Sequence, residues 1–307
     1  MKISFAVPMS GSWATPANMA RIARRAEELG YHELWTFQRL LVPVDRSLAP
    51  VYQSVQDPVA TLAYLAGLTE RIRLGAAILN IPLASPAYYA KQLATLQHLA
   101  AGRLTAGFGL GWMPEEFAAS GVPMEGRGRR AEEFLEVVRR LWTREVAEFD
   151  GDVYTLPASR QEPRPGPAPS MLLGGNADAA LRRVGRLADG WISSSSADLR
   201  RIDARIALVK DAAREAGRDP SALRFVVRGV TRVRPGGDPG RAPLTGSYDE
   251  IRSDVAGLAA MGVTEVFHDL NFDEEIGSVE ADPVVSMRRA EEALELLAPG
   301  TDGRVGR

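Results

Sequence analysis

The sequence predicts an α/β protein built as a (β/α)8 barrel, and two observations carry the prediction. Short apolar runs at residues 3–7, 33–37, 73–79, 104–109, 171–174, 191–193, 225–233 and 265–270 alternate with helical patterns, which marks parallel βαβ units rather than a sandwich. A repeated helix start is the second: Thr15-Pro16, Asp57-Pro58, Ser85-Pro86 and Asp282-Pro283 each set a capping oxygen before a proline at the first helical position. A chain of 307 residues is long enough for one such barrel. A single domain over residues 1–298 with a flexible tail at 299–307 is expected.

The elements follow in order. The first run, ISFAV, begins two residues into the chain, so no leader peptide is expected. Trp13 follows in a loop and is a candidate substrate contact. The helix after Pro16 lines up Ile22, Ala23, Ala26 and Leu29 at the 3.6-residue period and stops at Gly30. The second run ends in Phe37-Gln38-Arg39, and an arginine at a strand end points into the barrel mouth or into solvent.

The fourth run leads into Ala106-Gly107-Phe108-Gly109-Leu110-Gly111-Trp112. It fails as a dinucleotide fingerprint, because the third glycine should fall at Trp112 and the motif should follow the first strand. Glycines there let a strand end approach a flat ring, with Trp112 as its wall; a plain turn with a packed Trp is the alternative. The fifth run closes on Gly174-Gly175-Asn176 before a helix starting near Ala177. Free N–H groups at such a start suit a phosphate, while a tight turn with Asn176 as N-cap is the simpler option. Ser193-Ser194-Ser195-Ser196 puts a second donor-rich loop at the same mouth, just before another helix. Arg228, inside the seventh run, needs a polar partner if buried: a substrate carboxylate, a cofactor oxygen or a structural acid. His32 falls on the N-terminal face, where residues serve stability, and His98 falls on a helix. His268 and Asp269 end the last run, and one of them should face inward; Asn271 shares the parity of Asp269. Two Pro- and Gly-rich stretches break the rhythm. Residues 156–169 are expected to be irregular and to cover an edge of the mouth, and residues 234–246 form a second insertion.

Composition narrows the chemistry. There is no cysteine, which removes disulfides, thiolate nucleophiles and Cys-ligated metal. The three histidines lack metal-ligand spacing, so no metal is expected. A net charge of −2 without a basic stripe argues against nucleic acid, and the apolar runs are too short for a membrane span. A cytoplasmic protein acting on a small molecule is expected. No G-x-S-x-G elbow supports a hydrolase.

The chain resembles the bacterial luciferase-like superfamily over nearly its whole length. The resemblance rests on Leu34-Trp35, Asp57-Pro58, Thr69-Glu70-Arg71-Ile72-Arg73-Leu74-Gly75, Gly102-Arg103-Leu104, Gly109-Leu110-Gly111-Trp112 with Glu115-Glu116-Phe117, Leu173-Gly174-Gly175 and Ala188-Asp189-Gly190-Trp191. Within it, residues 34–40 and the Arg/Ala/Gly content look most like the branch using coenzyme F420, a deazaflavin, with FMN as the alternative. The resemblance implies a luciferase-like TIM barrel, commonly a homodimer, whose cofactor ring lies near Asn80, Gly107, Gly109, Gly111 and Trp112. It places the cofactor phosphate at Gly174, Gly175 and Asn176, with Ser193 and Ser194 beside them, and a non-proline cis peptide at Ala77–Ile78. Gln38, Arg39 and Trp112 stand where dehydrogenases of this kind carry an acid–base pair and a glutamate. The missing base points to hydride delivery onto a C=C or C=N bond, with Arg39 or Arg228 holding an anionic substrate and His268, Asp269 and Asn271 as further substrate contacts. An FMN-dependent monooxygenase and a non-catalytic flavin-binding protein are the other readings.

Overall fold

The eight apolar runs become eight parallel strands: β1 (Lys2–Ala6), β2 (Glu33–Thr36), β3 (Arg73–Asn80), β4 (Leu104–Gly109), β5 (Ser170–Gly174), β6 (Gly190–Ile192), β7 (Arg224–Val230) and β8 (Glu265–Asp269). Each pairs with the next in sequence, and β8 closes on β1. The computed structural model describes residues 1–300, so 301–307 of the predicted tail lie outside the described residues. Around the barrel run α1 (Pro16–Glu28), α2 (Pro58–Ala66), α3 (Pro86–Leu99), α4 (Pro114–Ala119), α5 (Arg127–Thr143), α6 (Asp178–Leu187), α7 (Ile202–Glu215), α8 (Tyr248–Ala260), α9 (Glu274–Gly277) and α10 (Pro283–Leu296). No helix among the described residues is long and apolar enough to cross a membrane.

The predicted caps form. Thr15 accepts from the Asn18 N–H, Asp57 from Ala60, Ser85 from Tyr88, and Asp282 from Val284 and Val285. They satisfy donors that no helical carbonyl can reach. Gly30 stops α1 at φ +81°, open to a residue without a Cβ.

Alternation along the strands fills the interior in layers. At the N-terminal end, Arg224 donates to Glu33 and Glu265, 2.7 Å each, and to Thr105. Ala6, Trp35, Leu172, Val226 and Phe267 form the middle, and Arg228 and Asp269 the layer above. Asp269 therefore shares the inward parity of Phe267, and His268 points outward. There it is buried with Nδ1 3.0 Å from the Thr231 hydroxyl, so it is not a substrate contact.

Burial pushes the His268 imidazole down to about 4. A base lowered on folding stabilises the fold above its free value of about 6.5 and loses that contribution as pH falls towards 4. His32, also lowered to about 4, chiefly by burial, adds to the same limb. His268→Gln should therefore lose about 2 kcal/mol less than the parent between about pH 7 and pH 4.5 in urea unfolding. Parallel losses in the two proteins would refute the assignment.

Two expectations about loops are corrected. Thr155–Ser159 is regular, pairing antiparallel with Ala147–Asp150; a two-stranded sheet has only edges, so Pro157 is tolerated. The segment beyond lies along α3 rather than over the mouth: Gln161 donates to Ala90 O, and Gln97 to Pro167 O. The seventh strand stops at Val230 instead of Val233. After Thr231, Arg232–Val233 pairs with Thr245–Gly246, which closes the 234–246 insertion into a loop.

Candidate active site

A cavity of about 700 Å³ opens at the C-terminal ends of the strands, where a barrel gathers its loops. Its floor comes from β3, which bulges between Ala76 and Leu79, with a cis peptide at Ala77–Ile78. The bulge lays Ile78 against two glycines. A Cβ on Gly109 would fall 2.3 Å from Ile78 Cδ1, and one on Gly174 would fall 3.3 Å from Ile78 Cγ2. The result is an apolar shelf that side chains on β4 and β5 would otherwise fill.

Gln38 fixes the side wall. Its Oε1 accepts from the Asn80 N–H at 2.7 Å, and its Nε2 donates to the Tyr89 hydroxyl at 3.4 Å. Burial pushes that hydroxyl up to about 12, so Tyr89 stays a neutral donor, reaching Asn80 O. Across the cavity, Asn176 Nδ2 donates to Ser194 Oγ at 2.7 Å, and Arg205 holds Asn176 O. The N-cap of α6 is Ala177, not Asn176, and it has no side chain to offer. The first N–H groups of α6 are thus left for a ligand or water. The Ser193–Ser196 stretch does not itself start α7; a turn capped by Asp198 intervenes. Beyond this seat the cavity continues to Arg127 and Arg183, between α5 and α6.

The remaining sector is charged but internally paired. Arg39 lies 3.1 Å from Glu116, with both side chains almost fully buried. Its guanidinium sits 4.7 Å from the Tyr52 ring and 4.7 Å from the Trp112 ring, a favourable placement for a cation. Arg228 lies 3.4 Å from Asp269, donates to Ala77 O, and packs on Phe37, Phe267 and Phe272. Burial raises the Asp269 carboxyl, and Arg228 opposes that rise. A flat ring on the Ile78 shelf, with an anionic group at Gly174–Asn176, fits these residues.

The family model for luciferase-like monooxygenases matches residues 2–242. The chain belongs to the luciferase-like monooxygenase family. It is 38% identical over 182 residues to an uncharacterized protein of Mycobacterium tuberculosis, covering 57% of this chain and 62% of that protein. It is 31% identical over 238 residues to an FMNH2-dependent dimethylsulfone monooxygenase of Pseudomonas putida, covering 76% of this chain and 62% of that enzyme. The chain thus spans less than two thirds of the length of these relatives. An F420-dependent secondary alcohol dehydrogenase shares the fold, with a TM-score of 0.76 at 18% identity over 92% of this chain and 98% of that one.

In this luciferase-like barrel every predicted site residue lines the one cavity except Gly107, Trp13, His268, Asp269 and Asn271. Gly107 is required by packing: its Cβ would meet Ala76 O at 2.2 Å. Trp13 is wholly buried in the core. Asn271 ties chain ends together, accepting from the Met9 and Ser10 N–H groups and donating to Val7 O. Asp269 reaches the site only through Arg228. Arg39 and Arg228 line the cavity, but with their charges already met by carboxylates. Sequence reasoning missed Tyr52, Arg127 and Arg183, which lie on helices without a motif, and it expected Ile78 in β3 only as one end of a cis peptide, not as the shelf. Glu116 stood within the family motif, yet nothing in the spacing paired it with Arg39.

Proposed function

We propose that the chain is a coenzyme F420-dependent reductase acting on a C=C or C=N bond of a small organic molecule. The observation that carries the direction is the chemistry of the cavity wall. Gln38, at the dehydrogenase base position, is neutral and has both amide atoms engaged, and Glu116 is held by Arg39. The lining carboxylate, Glu125, lies on the outer stretch next to Arg127. Among the described residues no free base is therefore placed to take a proton from an alcohol. When bound, the cofactor supplies the hydride and the protein supplies orientation and charge. Ile78 and the glycines seat the ring, Asn176 and the Ser193–Ser195 loop meet the phosphate, and Trp112 helps exclude water. Solvent supplies the accompanying proton. The continuation of the cavity to Arg127 favours a cofactor with negative charge beyond its phosphate, as the deazaflavin has and FMN lacks; Arg183 beside it is already paired with Glu132 at 3.1 Å.

Parallel titrations of the apo protein with F420 and FMN test the cofactor, with F420 expected to bind at least about 10-fold more tightly, or about 1.4 kcal/mol. Tighter FMN binding, with oxygen-dependent product formation, would favour the monooxygenase reading that the P. putida relative supports. Rapid alcohol oxidation with oxidised F420 would overturn the assigned direction.

A further inference from the structure

The cofactor seat occupies the β3 to β6 side of the mouth, which leaves the sector above β7, β8, β1 and β2 for the substrate. This sector carries two guanidinium groups and would ordinarily be read as an anion site. Its geometry says otherwise. Each cation has its own buried carboxylate: Glu116 lies 3.1 Å from Arg39, and Asp269 lies 3.4 Å from Arg228. The sector therefore sums to zero charge. What it presents around the paired charges is Phe37 and Tyr52, with Trp112 reaching in from the loop after β4 onto Arg39 and Tyr52 and Phe272 packed behind Phe37 and Tyr52. Leu40, Leu41, Val42 and Val44 follow Arg39 directly and are exposed, so the chain leaving this wall is aliphatic.

We infer that the substrate is an uncharged, flat, apolar molecule that packs between the cofactor ring and the Tyr52–Trp112 wall. The inference rests on reading the cavity as a flavin or deazaflavin site. An anionic substrate would have to compete with a carboxylate already desolvated beside each guanidinium, and the displaced carboxylate would be left buried without a counter-charge. A neutral ring meets no such cost and gains the aromatic contact. The aromatic groups also explain how the two cations remain here while paired: each guanidinium packs on rings, which solvate positive charge without adding negative charge.

The test uses one ring with and without charge: methyl 2-naphthoate and 2-naphthoate, titrated at about pH 8 into protein loaded with whichever of F420 or FMN binds more tightly. The signal is perturbation of the bound cofactor's visible band, which surface binding does not move. The ester is expected to bind at least about 10-fold more tightly than the carboxylate. Glu116→Gln frees Arg39 and should raise the affinity for the carboxylate several-fold relative to that for the ester; Asp269→Asn, freeing Arg228, is the second variant should the first fold poorly. A carboxylate that binds the parent protein as tightly as the ester, or an ester that leaves the band unmoved, overturns the inference. If neither cofactor binds, the functional reading fails instead. Calorimetry of the same pair on cofactor-free protein then decides the charge preference by itself.

Discussion

Replacing Arg224 by methionine is expected to destabilise the fold by about 3–5 kcal/mol near pH 8. Glu33 and Glu265 are buried at the N-terminal end of the barrel, 0% and 1% exposed, and both take a 2.7 Å hydrogen bond from Arg224. Trp35 Nε1 and the Ser4 hydroxyl also serve Glu265, but neither carries charge. Burial, reinforced by Glu265, already raises the Glu33 carboxyl to about 7, while Arg224 pulls it back. An acid raised on folding stabilises fully below its free value of about 4.5 and loses that contribution as pH rises through its folded value. Removal of Arg224 pushes the Glu33 carboxyl higher, so the variant should recover stability between about pH 8.5 and pH 6.5, more than the parent does. His32 and His268 are present in both proteins, so what their protonation in the unfolded chain adds is common to the two curves. Urea unfolding at the two pH values measures this. A variant with the parent's midpoint at pH 8.5 would show that the ion pair contributes nothing.

Gly174→Leu is expected to weaken cofactor binding by about 100-fold, or about 2.7 kcal/mol, while costing the fold little. The nearest neighbour of an added Cβ is Ile78 Cγ2 at 3.3 Å, a side-chain end that can shift, and the next contacts are at 3.7 and 3.8 Å. The rest of the leucine would then occupy the shelf and the seat beside Asn176. Gly107→Ala is the contrasting substitution. Its Cβ meets the Ala76 carbonyl oxygen at 2.2 Å, and backbone in a closed barrel cannot give way, so the loss should appear in thermal unfolding. Overpacking of this kind costs about 1–3 kcal/mol or more. Unchanged cofactor affinity in Gly174→Leu would remove this glycine from the proposed site.

The two glycines show how far local sequence goes. Gly107 was expected at the cofactor ring and Gly174 at its phosphate, because both stand near the same mouth and nothing in the local sequence says which of them opens into it. Only one opens into the cavity. The difference comes from the bulge of β3, which swings Ile78 under Gly174 and presents the Ala76 carbonyl to Gly107. Likewise, one of His268 and Asp269 was expected to face inward, but only closure of β8 on β1 and β7 decided that it is Asp269. The arginines show the same limit: Arg39 and Glu116 are far apart in sequence, as are Arg228 and Asp269, and no pattern announces that they meet.

The sequence by itself determined the barrel, its capped helices and the end at which the cavity opens. Those features follow from period, capping chemistry and glycine placement, which act over a few residues. The tertiary structure decided which of the predicted groups reach that cavity and whether they arrive charged or already paired. Burial and pairing are long-range properties, set when strands distant in the chain close around one space, and that closure turned two candidate anion-binding arginines into a neutral aromatic wall.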